Sequence, residues 1–244
     1  MRTSPVSHCW ATAGTSPFAS RVSRAAIADA HAWAMPGLKG QGKGERALCS
    51  WDEDAITLAV AAARDAARSN GRARPAALTL ASTTAPFADL QNAVIVASAL
   101  NLPTSTQCSD LAGSTRAGLS ALAQALESGA EGDALVVAAD RRSAKPGSAQ
   151  EMQFGAGAAA IQVGEDASLA KYLGRETVSH LFVDHFRADG EKHDYYWEER
   201  WIRDEGARRL MVAGGNTPFP LYEEIARRGA EAADAINLRG SSAA

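Results

Sequence analysis

At 244 residues the chain is long enough for one large domain or two small ones with a real core, and its composition is ordinary for a soluble protein, 46% hydrophobic and 22% charged. A net charge of −3, with basic residues scattered rather than striped, exerts no long-range pull on nucleic acid or an anionic membrane. Three cysteines, Cys9, Cys49 and Cys108, form no CxxC pair, which argues against a zinc ribbon, a thioredoxin-like motif or a disulfide framework and fits a reducing cytoplasm.

Residues 1–20 are rich in Ser, Thr and Pro and lack acids and a continuous apolar stretch. They are expected as a disordered or atypical tail rather than a secretory signal. The first clear element opens at Ser50, where Ser50 and Glu53 form a capping-box pattern ahead of the apolar face Ile56, Leu58, Ala59, Val60, Ala63 and Ala66. Asn70-Gly71 closes that helix. Ala76 to Ala81 is short, continuous and apolar, the pattern of a buried strand. Asp89 to Leu100 reads as a helix, with Asp89 and Gln91 as solvated cap residues. Its apolar run is too short to span a bilayer. Thr104 to Ser109 reads as a strand, Gly113 to Glu127 as a helix of small residues, and Ala134 to Ala139 and Ala158 to Val163 as two more buried strands.

This alternation predicts a layered α/β domain over residues 21–165. Residues 166–244 read as an extension: strand-like alternation, then charges and aromatics around Tyr195 to Trp201, then an exposed helix from Tyr222 to Asn237. The aromatic patch suggests a protein interface. Gly155-Ala-Gly-Ala-Ala-Ala leads into a strand instead of opening a helix, so it is not a dinucleotide fingerprint. Gly37-Leu-Lys-Gly-Gln-Gly-Lys-Gly-Glu-Arg lacks the Walker A spacing and reads as a flexible surface loop.

Several stretches, in order, resemble the thiolase superfamily, in particular the branch of archaeal-type 3-hydroxy-3-methylglutaryl-CoA synthase and the 3-oxoacyl-carrier-protein synthase III enzymes. They are Gly37-Leu-Lys-Gly, Trp51 to Ala66, Ala81 to Ala93, the segment DLAGSTRAGLSAL from Asp110 to Leu122, Ala134 to Arg142, and Gly147 to Gly164. The resemblance implies a thiolase-like α/β fold whose βαβαβαββ unit is repeated twice, the chain carrying the first unit and the second being missing or truncated. It implies acyl transfer or Claisen-type condensation on coenzyme A or acyl-carrier thioesters, with no permanently bound cofactor and no metal.

By the same resemblance, the family's nucleophilic cysteine falls at Thr115, beside Ser114. A helix dipole can tune a thiol but does not ionise an alkyl hydroxyl, and an internal threonine lacks the adjacent amine that such nucleophiles use. Thr115 therefore reads either as a replacement nucleophile or as a cap of the helix start. The synthase branch places a glutamate near the loop around Thr83 as its acid/base, where this chain reads Ser82-Thr83-Thr84-Ala85. Lys39, Lys43, Arg46 and Arg116 are the implied coenzyme A contacts. Of the histidines, His180, His185 and His193 read as lid, interface or surface residues, with His185 the best site candidate. Cys108 reads as a structural thiol. The implied partners are an acyl-CoA or acyl-carrier protein and either a second copy of the chain or an OB-fold/zinc-ribbon protein, with no nucleic acid and no membrane. The alternative is a catalytically silent thiolase-fold subunit or truncated fragment that binds a partner acyltransferase.

Overall fold

The computed structural model describes residues 8–12, 20–69, 74–128, 132–164, 170–175, 177 and 183–196. The chain divides into two units, Met1–Tyr172 and Leu173–Ala244. In chain order the first unit contains strands β1 (His8–Thr12) and β2 (Ser20–Ser23), helix α1 (Arg24–Ala30) and a 3-10 helix (Pro36–Gln41). Next come β3 (Glu45–Leu48), α2 (Ala55–Ser69), β4 (Ala77–Ala81), α3 (Asn92–Ala99), β5 (Gln107–Leu111) and α4 (Ala117–Glu127). Then follow β6 (Ala134–Arg141), α5 (Ala149–Gln153), β7 (Ala156–Gly164) and the short β8 (Ala170–Lys171).

Six of these strands form one sheet in the order β5-β4-β6-β7-β1-β8. Strands β5, β4 and β6 are parallel, and β7 and β1 continue antiparallel. Side chains alternate faces along each strand with period two. Leu78 and Leu80 of β4, and Leu135, Val137 and Ala139 of β6, pack with α2 and α3. Ala81 and Val136 point to the other face and pack with Ala117 and Ala121 of α4. Burial on both faces is why these strands are continuous apolar runs. At full burial a side chain such as Leu80 contributes about 1.5–3 kcal/mol.

Taken through the sheet, the unit reads β1, α2, β4, α3, β5, α4, β6, β7, which is the βαβαβαββ order expected of it. Its first strand comes from the segment expected as a tail. His8–Thr12 pairs along its whole length with β7, from His8 opposite Gly164 to Thr12 opposite Ala160. Backbone pairing, which no local side-chain period announces, makes this strand. Residues 170–171, expected in the extension, pair with β1 on its other side.

Helix α2 starts five residues after Ser50. Asp54 and Thr57 form the reciprocal cap: Thr57 N donates to Asp54 Oδ1 and Asp54 N to Thr57 Oγ1, both at 2.8 Å. Ser50 and Glu53 make a preceding turn instead, with Ser50 N donating to Glu53 Oε2. The Gly37 to Arg46 segment is not a loose loop. Pro36 opens the 3-10 helix, β3 pairs with β2, and Arg24 braces the hairpin by donating to the carbonyls of Met152 and Lys43. His31 Nε2 meets Glu151 Oε2 at 3.1 Å, which ties α1 to α5.

In the second unit, β9 (His185–Phe186) pairs antiparallel with β10 (Tyr195–Tyr196). Rings of His185 and Tyr196 stack at 5.5 Å, and Arg187 meets Asp194 at 3.4 Å across the hairpin. The expected helix at 222–237, His180 and residues 197–201 of the aromatic patch lie outside the described residues. Among the described residues no helix is long and apolar enough to cross a membrane.

Candidate active site

Because β4, β5 and β6 run parallel, their C-terminal ends deliver three connections to one edge of the sheet. Crevices at such edges are where open α/β sheets bind ligands. The connection after β4 is Ser82-Thr83-Thr84, and Ser82 N donates to the carbonyl of Leu111, the last residue of β5. The connection after β5 is the turn through Gly113, Ser114, Thr115 and Arg116 into α4. Strand β6 ends on Asp140 and Arg141.

Asp140 organises this edge. Its Oδ1 accepts from Thr83 N at 2.7 Å, Thr83 Oγ1 at 3.0 Å, Thr84 Oγ1 at 3.0 Å and Ser82 Oγ at 3.2 Å. Thr84 Oγ1 in turn accepts from Arg141 N, and Ser82 Oγ from Thr84 N. Each hydroxyl is thereby fixed, and the loop that leaves β4 is tied to the ends of both neighbouring strands. The local signal for this network is weak. Asp140 closes an apolar strand and its partners are 56 to 58 residues away, so nothing in the sequence nearby announces it.

The turn before α4 is built differently. Gly113 has φ +89, a conformation that favours glycine. Ser114 Oγ accepts from Arg116 N at 3.1 Å, and the Ser114 carbonyl accepts from Ala117 N at 2.9 Å. Thr115 is exposed, and among the described residues no side chain bonds its hydroxyl. The bonds of this turn thus come from Ser114 and not from Thr115. Helix α4 itself begins at Ala117 with no side-chain cap; Ser114 takes the Ala117 N–H, and the N–H groups that follow it, with the positive end of the dipole, lie beside Thr115. Gly118 lets α4 lie close on the sheet, since a Cβ there would stand 3.1 Å from Ala138 Cβ.

The remaining expected residues hold other positions. Asp110, five residues before Thr115, caps α3 across the chain: Oδ1 accepts from Ala93 N and Oδ2 from Asn92 N, each at 2.7 Å. Gln91 does not cap that helix; its side chain donates to the Cys108 carbonyl. Lys39, Lys43 and Arg46 share the segment from the 3-10 helix to β3. Lys39 reaches Asp29 at 4.0 Å, whereas half-buried Arg46 donates to the carbonyl of Glu151. Burial lowers the Arg46 pKa, against the opposing pull of Glu151. Arg116 is exposed on the α4 turn. His185 belongs to the second unit, its Nδ1 2.8 Å from Asp184 Oδ1. Cys49 and Cys108 are half-buried thiols whose pKa values are pushed up, first by burial and then by neighbouring carboxylates.

A cleft of about 620 Å³ opens at the opposite edge, lined by Arg64, Arg68, Arg74, Leu100 and Leu102 among others. Arg64 donates there to the carbonyl of Ala99, the last residue of α3. Arg64 and Arg68 in the last turns of α2, with Arg74 nearby, complement the negative ends of helix dipoles. The hydroxyls and Asp140 converge instead at the C-terminal edge. Among the described residues no group of three or more His, Cys, Asp or Glu side chains could hold a metal ion.

No protein-family profile matches the chain. It is 36% identical over 132 residues to hydroxymethylglutaryl-CoA synthase of Aeropyrum pernix, covering 52% of this chain and 36% of that protein. It is 30% identical over 187 residues to the same enzyme of Methanocaldococcus jannaschii, covering 71% of this chain and 54% of that protein. The chain thus spans between about a third and about half the length of these curated relatives. In fold it is similar to 3-oxoacyl-(acyl carrier protein) synthase III of Pseudomonas aeruginosa, with a TM-score of 0.71 and 20% identity over 95% of this chain and 71% of that one. It is also similar to MvaS solved in complex with 3-hydroxy-3-methylglutaryl coenzyme A, with a TM-score of 0.64 and 22% identity over 81% of this chain and 49% of that one. By sequence the chain is similar to archaeal-type hydroxymethylglutaryl-CoA synthases of the thiolase superfamily, and its fold is thiolase-like, shared with 3-oxoacyl-carrier-protein synthase III.

Proposed function

We propose that this chain is a condensing-enzyme subunit that binds coenzyme A or acyl-carrier thioesters and works on the acyl group at the C-terminal edge of its sheet. The observation that carries this reading is the meeting, on one edge, of the uncapped start of α4 and the Ser82–Thr84 loop held by Asp140. The N–H groups and dipole at the start of α4 suit the oxyanion of a polarised thioester. Thr115 stands where an acyl group would be taken. Lys39, Lys43, Arg46 and Arg116 supply positive charge for the phosphates of coenzyme A, although Arg46 is partly committed to the Glu151 carbonyl.

A protein partner is part of the proposal. Strand β5 is an edge strand, and Phe87 and Leu90 are exposed near it in the loop that enters α3, a surface suited to a second copy of the chain or an OB-fold/zinc-ribbon protein. One observation favours the second reading, a silent subunit that supports a partner acyltransferase: no described side chain is placed to take the proton of Thr115.

Intact mass spectrometry after incubation with acetyl-CoA and longer acyl thioesters, followed by peptide mapping, separates the two. The first reading expects an acyl adduct on the Asp110 to Gly118 peptide, on Thr115 or Ser114. A folded protein that binds no thioester and carries no adduct is the result expected of the silent subunit.

A further inference from the structure

Asp140 uses its two carboxylate oxygens unequally. Four hydrogen bonds converge on Oδ1. Among the described residues no donor reaches Oδ2, and that atom is not a buried one. A carboxylate that served only to tie the loop would be expected to share its donors between both oxygens, as Asp110 does where it caps α3. Here the loop fixes one oxygen, and so fixes the direction of the other. Asp140 stands on strand β6, beside the loop after β4 and on the edge that receives the start of α4. By the resemblance, the synthase branch places its glutamate near this loop, where Thr83 carries no carboxylate and instead donates twice to Asp140.

We infer that Asp140 Oδ2 is the proton acceptor of this site, removing a proton from the carbon next to the thioester carbonyl. The inference rests on the thioester reading above. In the step, the C2–H bond breaks and its proton goes to Oδ2. The bonding pair becomes the enolate, whose negative charge on the carbonyl oxygen faces the N–H groups at the start of α4. The reverse step returns the proton from Asp140, so no further reactant is consumed. The hydroxyls of Ser82, Thr83 and Thr84 hold the carboxylate in place and do not react. This chemistry does not require the thiol that Thr115 replaces. A chain that has lost acyl transfer through Thr115 therefore still enolises a bound thioester.

The test is exchange of the acetyl hydrogens of acetyl-CoA for deuterium in D2O, with binding measured in parallel by calorimetry on the same full chain. Wild-type protein is expected to bind and to exchange. Asp140→Asn keeps an oxygen for the loop donors and the shape of the side chain; it is expected to bind with unchanged affinity and to exchange about 100-fold or more slowly. Asp140→Ala with added formate guards against a purely structural loss: recovery of exchange with formate supports a missing proton acceptor. Equal exchange by wild type and Asp140→Asn overturns the inference and leaves the thioester reading standing, as does binding by wild type without exchange. Failure of the wild-type chain to bind acetyl-CoA overturns that reading and the inference with it.

Discussion

Two loops leave the same sheet edge and are held in opposite ways. In the loop after β4 every hydroxyl is bonded, and Asp140 gathers Ser82, Thr83 and Thr84 into one network. In the turn after β5 the only side-chain bond among the described residues is that of Ser114 to the Arg116 N–H, and Thr115 faces solvent. The first loop is a rigid frame, the second an open position at the start of a helix. The ordered loop therefore does not depend on what stands at residue 115. The frame depends on contacts between strands β4, β5 and β6, and those contacts do not pass through residue 115.

The comparison can be broken at its foundation. Leu80 is 1% exposed and lies in β4 just before the framed loop. Leu80→Ala is expected to cost about 2–5 kcal/mol in chemical denaturation. An effect smaller than about 1 kcal/mol would show that the sheet beneath the loop is not packed as described. A direct contrast of the two loops comes next. Asp140→Ala leaves the Thr83 N–H and three hydroxyls without their acceptor and is expected to cost about 1–3 kcal/mol. Ser114→Ala removes one exposed bond and is expected to stay within about 0.5 kcal/mol. Equal losses in the two variants would erase the distinction between a tied and an open loop.

The smallest effect concerns thiol chemistry. Burial, followed by nearby carboxylates, raises the pKa of both Cys49 and Cys108, so less thiolate is present at neutral pH than for a free cysteine. Alkylation at pH 7.5, followed by peptide mapping, is expected to be slower at both residues than in a model thiol and to accelerate as pH rises. Fast labelling of Cys108 at neutral pH would contradict its place on the packed strand.

Much of the sheet was legible because β4, β6 and β7 are apolar runs whose burial follows from their own residues. What escaped was set by distant partners. Strand β1 is made by pairing with β7, more than a hundred residues away, and the tail-like composition around it concealed this. The cap of α2 moved from Ser50 to Asp54 because two acceptable caps stand four residues apart, and the Asp54–Thr57 pair is reciprocal. The cap of α3 comes from Asp110 on β5, so helix-start rules applied to Asp89 and Gln91 could not find it. At the site, the resemblance pointed to the turn at Thr115 and the loop at Thr83, and both leave the same edge of the sheet. Asp140 was passed over because a lone carboxylate at a strand end has no motif of its own.

The proposal rests most heavily on the start of α4 being a nucleophile position, with Thr115 standing where the resemblance places the family's cysteine. Acylation of Thr115→Cys by acetyl-CoA, read by intact mass and peptide mapping, tests it most directly. A single acetyl adduct is expected at position 115, formed faster than any at Cys49 or Cys108, because the start of α4 favours a thiolate there. A folded variant that forms no adduct, or forms it equally on all its thiols, would contradict the claim.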